Sequence, residues 1–171
     1  NTVLKAQGYG IRVSTKANPV VRQCSLTNCD LGAVVVDSDG LGIFERNELS
    51  SNKLGVVIKN GGRPTVRLNT ILNNSLCGVR VEFKGLGLVE ENEIVGNGEV
   101  GVSITTGSDP TIKNNTITGG SGVGVRVNEA GGTIERNRIQ GNKVAQLETK
   151  GGTANLVRND IRRVSGTSRD S

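Results

Sequence analysis

The sequence predicts an all-β fold: a right-handed parallel β-helix of about seven coils, 22–23 residues per coil. Three columns of like residues carry this. A glycine followed by an alternating apolar run recurs at Gly10, Gly32, Gly55, Gly78, Gly101 and Gly124, with spacings of 22, 23, 23, 23 and 23. A second column holds Cys24, Asn47, Asn69, Asn92, Asn115, Asn137 and Asn159. Two residues further on, every unit has an aliphatic: Leu26, Leu49, Ile71, Ile94, Ile117, Ile139 and Ile161. A repeat of this length also fits a leucine-rich repeat. That fold needs a helix or its substitute on the convex side. These units supply Gly, Thr, Asn, Pro and β-branched residues instead, and they lack the LxxLxL core.

Each unit divides into three short period-2 runs separated by turn residues, such as VRVEF, LVE and EIV in the fourth. Three short strands per turn, stacked at roughly 4.8 Å, place like positions on like positions. Stacking also explains how a core without Trp or Met, and with only 2 Phe, can suffice. Columns of Val, Ile and Leu fill a narrow interior, each contributing about 1.5–3 kcal/mol on burial. A single coil cannot bury its own face, so stability grows by neighbour contacts. Stacked Asn amides can bond along the axis wherever a bend turns polar groups inward. A second such column is Cys29, Asn52, Asn74, Asn97, Gly120 and Asn142.

Two residues before the first Asn column the charges alternate: Arg22, Glu45, Arg67, Glu90, Lys113, Glu135. Stacked outward, every neighbour is then an opposite charge, which favours one register. A longer period lies above the coil. Odd coils carry Pro19, Pro64 and Pro110, and even coils carry Gly42, Gly87 and Gly132. Counting back from Cys24 puts Val3 in the aliphatic column. The solenoid is therefore expected over residues 1–163, beginning inside a coil as a piece of a longer one, with 164–171 as a frayed tail.

The even-coil strings Gly40-Leu41-Gly42-Ile43-Phe44-Glu45-Arg46-Asn47-Glu48-Leu49 and Gly85-Leu86-Gly87-Leu88-Val89-Glu90-Glu91-Asn92-Glu93-Ile94 carry a family resemblance. So does the odd-coil string Ser108-Asp109-Pro110-Thr111-Ile112-Lys113-Asn114-Asn115-Thr116-Ile117. Together they resemble the β-helix repeats of the F-box only protein 11 family and related CASH-type (carbohydrate-binding and sugar-hydrolase) modules. The resemblance implies a substrate-recruiting module of a ubiquitin ligase, or a related intracellular scaffold.

The chemistry available is narrow. Without His, the commonest general base is missing. Pectin hydrolases of this fold combine several Asp with a His, and alginate epimerases pair Asp-Pro with a following His. Here Thr111 follows Asp109-Pro110. Asp37 and Asp39 form a local acidic pair that reads as a turn rather than a calcium site. No cofactor is expected. The net charge of +5 suits an acidic partner without being a nucleic-acid signature, and no run approaches the roughly 18 apolar residues of a membrane span. Cys24, Cys29 and Cys77, read as buried free thiols, suit a reducing compartment and a cytoplasmic or nuclear location.

Counting from each glycine, the first and third strand residues face inward and the second and fourth outward. Val34, Val36 and Val57 are then apolar residues on the outer side, flanked by Arg12, Lys59 and Arg80. An apolar patch ringed by charge marks a contact site, and these six form the candidate partner-binding face. The expected function is a non-catalytic protein–protein interaction scaffold that docks a protein or peptide segment of acidic character. The alternative is a carbohydrate-binding or carbohydrate-active β-helix. Sugar sites want exposed aromatics, and the chain offers only Tyr9, Phe44 and Phe83.

Overall fold

The computed structural model describes residues 2–3 and 6–163, and the tail expected at 164–171 lies outside them. The described residues contain strands and turns and no helix. They form three parallel sheets, in which each strand pairs with its equivalent one coil away. The long sheet consists of Tyr9–Val13, Gly32–Val36, Leu54–Lys59, Cys77–Glu82, Val100–Thr105, Val123–Ala130 and Ala145–Gly152. The middle sheet is a 7-stranded stack from Val20–Arg22 to Asn155–Val157. The closing sheet has 8 strands, from Thr2–Val3 to Asp160–Arg162.

The interior is the aliphatic stack that the columns imply. Leu49, Ile71, Ile94, Ile117 and Ile139 from the closing sheet meet Phe44, Val66, Val89, Ile112 and Ile134 from the middle sheet, all buried. Phe44 is thus a core residue. The Asn column is a continuous ladder between the two sheets. In it Asn69 donates from backbone N and Nδ2 to Asn92 Oδ1 at 2.9 and 3.0 Å, and Asn92 does the same to Asn115 at the same distances. The second ladder ends differently. The seventh coil has Gln146 at the glycine position, and its Oε1 accepts from Asn142 N and Nδ2 at 3.1 and 2.9 Å. Gln146 therefore does for Asn142 what the next coil's Asn does elsewhere.

The two-coil period has a steric cause. Gly87 has φ +99°, and a Cβ there would lie 2.6 Å from the Pro64 carbonyl oxygen and 3.0 Å from Pro64 Cδ. Gly42 and Gly132 repeat this over Pro19 and Pro110. A proline turn in one coil requires a glycine turn stacked upon it. The alternating charges also stack as expected. Arg67 is placed opposite Glu45 and Glu90, and it bonds Glu45 Oε2 through Nε and Nη2 at 3.0 and 2.8 Å. Lys113 pairs with Glu90 at 3.3 Å.

One register differs from the sequence-based expectation. Strand pairing sets Val34 against Ile11 and Val56, and Val36 against Val13 and Ile58. Val34 and Val36 therefore point into the main core, where both have 0% exposure. The outward valine is Val35, opposite Arg12 and Val57. Ala33, not Gly32, occupies the column of Gly10 and Gly55, so the spacings there are 23 and 22 rather than 22 and 23. Gly32 instead pairs with Tyr9 on the outer side, where a Cβ would lie 3.1 Å from the Tyr9 ring. A glycine one residue early mimicked the landmark, and side-chain period 2 turned that single residue into a reversal of faces.

Candidate functional site

The outward face of the long sheet gathers the three expected cations and one of the three expected valines. Its central column runs Arg12, Val35, Val57, Arg80, Ser103, Arg126, Glu148 by strand register. Lys59 lies in the next outward column, opposite Glu82. Arg12, Val57, Lys59 and Arg80 are thus where the sequence placed them, and Val34 and Val36 are not.

The apolar part of this face is not an open patch. Val35, Leu54, Val57, Cys77 and Val100 pack into a small second cluster against Tyr9 and Leu76. Val35 and Val57 are each 1% exposed. Arg80 Nη2 donates to Cys77 Sγ at 3.5 Å, and burial pushes the Cys77 thiol above its ordinary range despite that guanidinium. The valines brace the sheet face, and what remains for a ligand is its charge.

That charge is unevenly satisfied. Arg12 pairs with Asp37 at 3.2 Å and Arg126 with Glu148 at 3.0 Å. Among the described residues Lys59 and Arg80 form no ion pair, and nor does Lys84 at the corner just beyond this sheet. Three cations without a carboxylate at ion-pair distance thus lie within two adjacent coils, with Asp37 and Glu82 flanking Lys59 in its column. A shallow groove at the opposite corner is lined by Asn28, Asp30, Ser51, Lys53, Asn73 and Ser75, and there the charges of Asp30 and Lys53 offset one another.

Asp37, expected as part of a turn pair with Asp39, is buried beside this region. Its carboxyl is held below the ordinary carboxylate range, first by a hydrogen bond from Asn60 Nδ2 at 2.9 Å, against the opposing effect of burial. Ser38 Oγ adds a bond at 3.0 Å, and Lys59 and Arg12 add positive charge. A carboxyl depressed on folding contributes stability that is complete above its unfolded value of about 4 and is lost as pH falls through the lower folded value. Asp37→Asn should therefore flatten the fall of melting temperature below about pH 4. A mutant profile parallel to that of the wild type would reject this role.

The family model described as right handed beta helix region matches residues 1–117 and 100–166. No curated protein matches the chain. Among solved structures it is similar to the periplasmic alginate epimerase AlgG, with TM-score 0.86 and 16% identity over 95% of this chain. The chain spans 44% of that enzyme. A point mutant of the same enzyme aligns with TM-score 0.69 and 14% identity over 86% of this chain and 42% of its own.

These findings correct two expectations. The ubiquitin-ligase scaffold is overturned: the solved structures named above are of a carbohydrate enzyme, and the family match reaches the right-handed β-helix without reaching the F-box only protein 11 family. The motif strings encode glycine over proline, outward charge and the Asn ladder, which a β-helix with this two-coil period requires whatever it binds. The cytoplasmic or nuclear placement is overturned as well, because the two solved structures named above are of a periplasmic enzyme. Three free thiols were a poor guide. Cys29 and Cys77 are buried and Cys24 half-buried, and all are unbridged, a state that isolated thiols keep in any compartment. The chain belongs to the right handed beta helix region family.

Proposed function

We propose that this chain is a carbohydrate-interacting β-helix acting outside the cytoplasm, and that the outer face of its long sheet binds an acidic polysaccharide. The observation that carries the reading is the cluster of unpaired cations, Lys59, Arg80 and Lys84, on and beside that face. Coil stacking repeats every outward position at roughly 4.8 Å. Lys59 lies one coil from Arg80 and Lys84, and cations set about one coil apart on a rigid sheet suit a polymer that carries one carboxylate per sugar. Similarity to an enzyme acting on alginate, a polyuronate, supports the same ligand class. The acidic partner expected from the sequence keeps its charge in this reading and becomes a glycan rather than a peptide.

Titration calorimetry with a polyuronate and with a neutral polysaccharide tests this. The polyuronate should bind and the neutral polymer should not. Binding should weaken steeply as salt shortens the screening length from about 10 Å at 0.1 M towards about 3 Å at 1 M. Arg80→Glu should lower the affinity by about tenfold, roughly 1.4 kcal/mol. Equal binding of both polymers, or of neither, would overturn the proposal.

A further inference from the structure

Between the long and middle sheets each coil turns on residues in the left-handed region: Thr15–Lys16, Ser38–Asp39, Asn60–Gly61, Phe83–Lys84 and Thr106–Gly107. Asn, Asp and Gly among these bear a positive φ with little strain, whereas Thr15, Thr106 and Phe83 are outliers. Phe83, with φ +50°, is the aromatic among them. A bulky aromatic there is an outlier, since its side chain crowds the backbone. Such strain is offset when the side chain packs into a core, but Phe83 is 52% exposed.

Its position explains what the ring can reach. Asn60 N donates to the Phe83 carbonyl at 2.9 Å, and Lys84 N donates to the Thr106 carbonyl at 3.2 Å. The stacked neighbours of Phe83 are therefore Asn60 and Thr106, neither of them aromatic. In the adjoining column Gly107 faces open space, with nothing within 4 Å of where a Cβ would stand. Phe83 directly follows Glu82, whose strand partner is Lys59, and directly precedes the exposed Lys84. Arg80 lies on the same strand. Lys59, Arg80 and Lys84, none of them in an ion pair, thus lie on the same or the adjacent coil as this exposed aromatic, while Asp37 and Glu82 flank Lys59 in its column.

We infer that Phe83 is a sugar-stacking platform, and that Lys84 and Lys59 take the carboxylate of the acidic sugar held there. The inference rests on the proposed glycan reading and names the subsite within it. The C–H face of a pyranose ring carries a slight positive charge and matches the negative face of the aromatic ring. A uronic acid adds a carboxylate for Lys84, which forms no ion pair.

The test uses the strain itself. Phe83→Asn removes the ring and installs a residue that tolerates a positive φ. The variant should melt roughly 2–4 °C higher than the wild type, while its affinity for an oligouronate falls at least tenfold. Phe83→Tyr should retain that affinity. A lower melting temperature for Phe83→Asn would show that the ring is structural and overturn the inference. Undiminished oligouronate binding by Phe83→Asn, alongside a wild type that binds, would overturn it and leave the glycan reading standing. Failure of the wild type to bind oligouronate would remove both.

Discussion

Asn92→Leu should destabilise the chain by about 3–5 kcal/mol, with two or three buried polar groups each losing about 1–3 kcal/mol in satisfaction. Asn92 is 2% exposed at the middle of the ladder. Its Oδ1 accepts from Asn69 N at 2.9 Å and Asn69 Nδ2 at 3.0 Å. Its Nδ2 donates to the Val66 carbonyl at 2.9 Å and Asn115 Oδ1 at 3.0 Å. Leucine keeps the branched shape but leaves the Asn69 amide and the Val66 carbonyl without these partners and out of reach of water. Because neighbouring coils support one another, the damage should spread along the axis rather than stay in one coil. Urea unfolding measures it. A loss below about 1 kcal/mol would mean that the ladder decorates the fold rather than stabilising it.

Val34→Asp should be nearly as damaging, at about 4 kcal/mol or more, since it buries an unpaired charge or forces its neutralisation. Val34 has 0% exposure and lies in the main aliphatic stack between Ile11 and Val56. Val35→Lys should cost only about 1–2 kcal/mol, because a lysine stem can lie on the apolar strip while its ammonium reaches water. Val35 shares its outward column with Arg12 and Arg80, both long cations. The two melting temperatures, compared directly, decide the register. Finding Val35→Lys the more damaging variant would restore the arrangement in which Val34 faces outward.

The rest of the solenoid was legible because of its geometry. Stacked parallel coils convert position along the chain into position along an axis. Each column is therefore a contact that can be counted without coordinates. The pairing of Ile71 with Ile94, of Arg67 with Glu45 and of Asn69 with Asn92 follows from intervals of 22 or 23 residues alone. The second coil also held a readable correction. The run Ala33-Val34-Val35-Val36 is followed by Asp37, and a carboxylate reads more naturally as outward. Counting back from Asp37 would have put Val36 and Val34 inside. Gly32 concealed this, because coils of 22 and 23 residues can take up the difference at more than one corner.

Composition and spacing carried the coil number, the aliphatic interior, the Asn ladders, the alternating charges and the pairing of proline with glycine turns. All of these repeat, and repetition is visible in one dimension. The face presented by the second strand, the burial of Val57 under its neighbours, the ion pairs that left Lys59, Arg80 and Lys84 unmatched, and the exposure of Phe83 had to come from coordinates. Each depends on a single corner or a single rotamer that occurs once, and a periodic pattern holds no information about what happens only once.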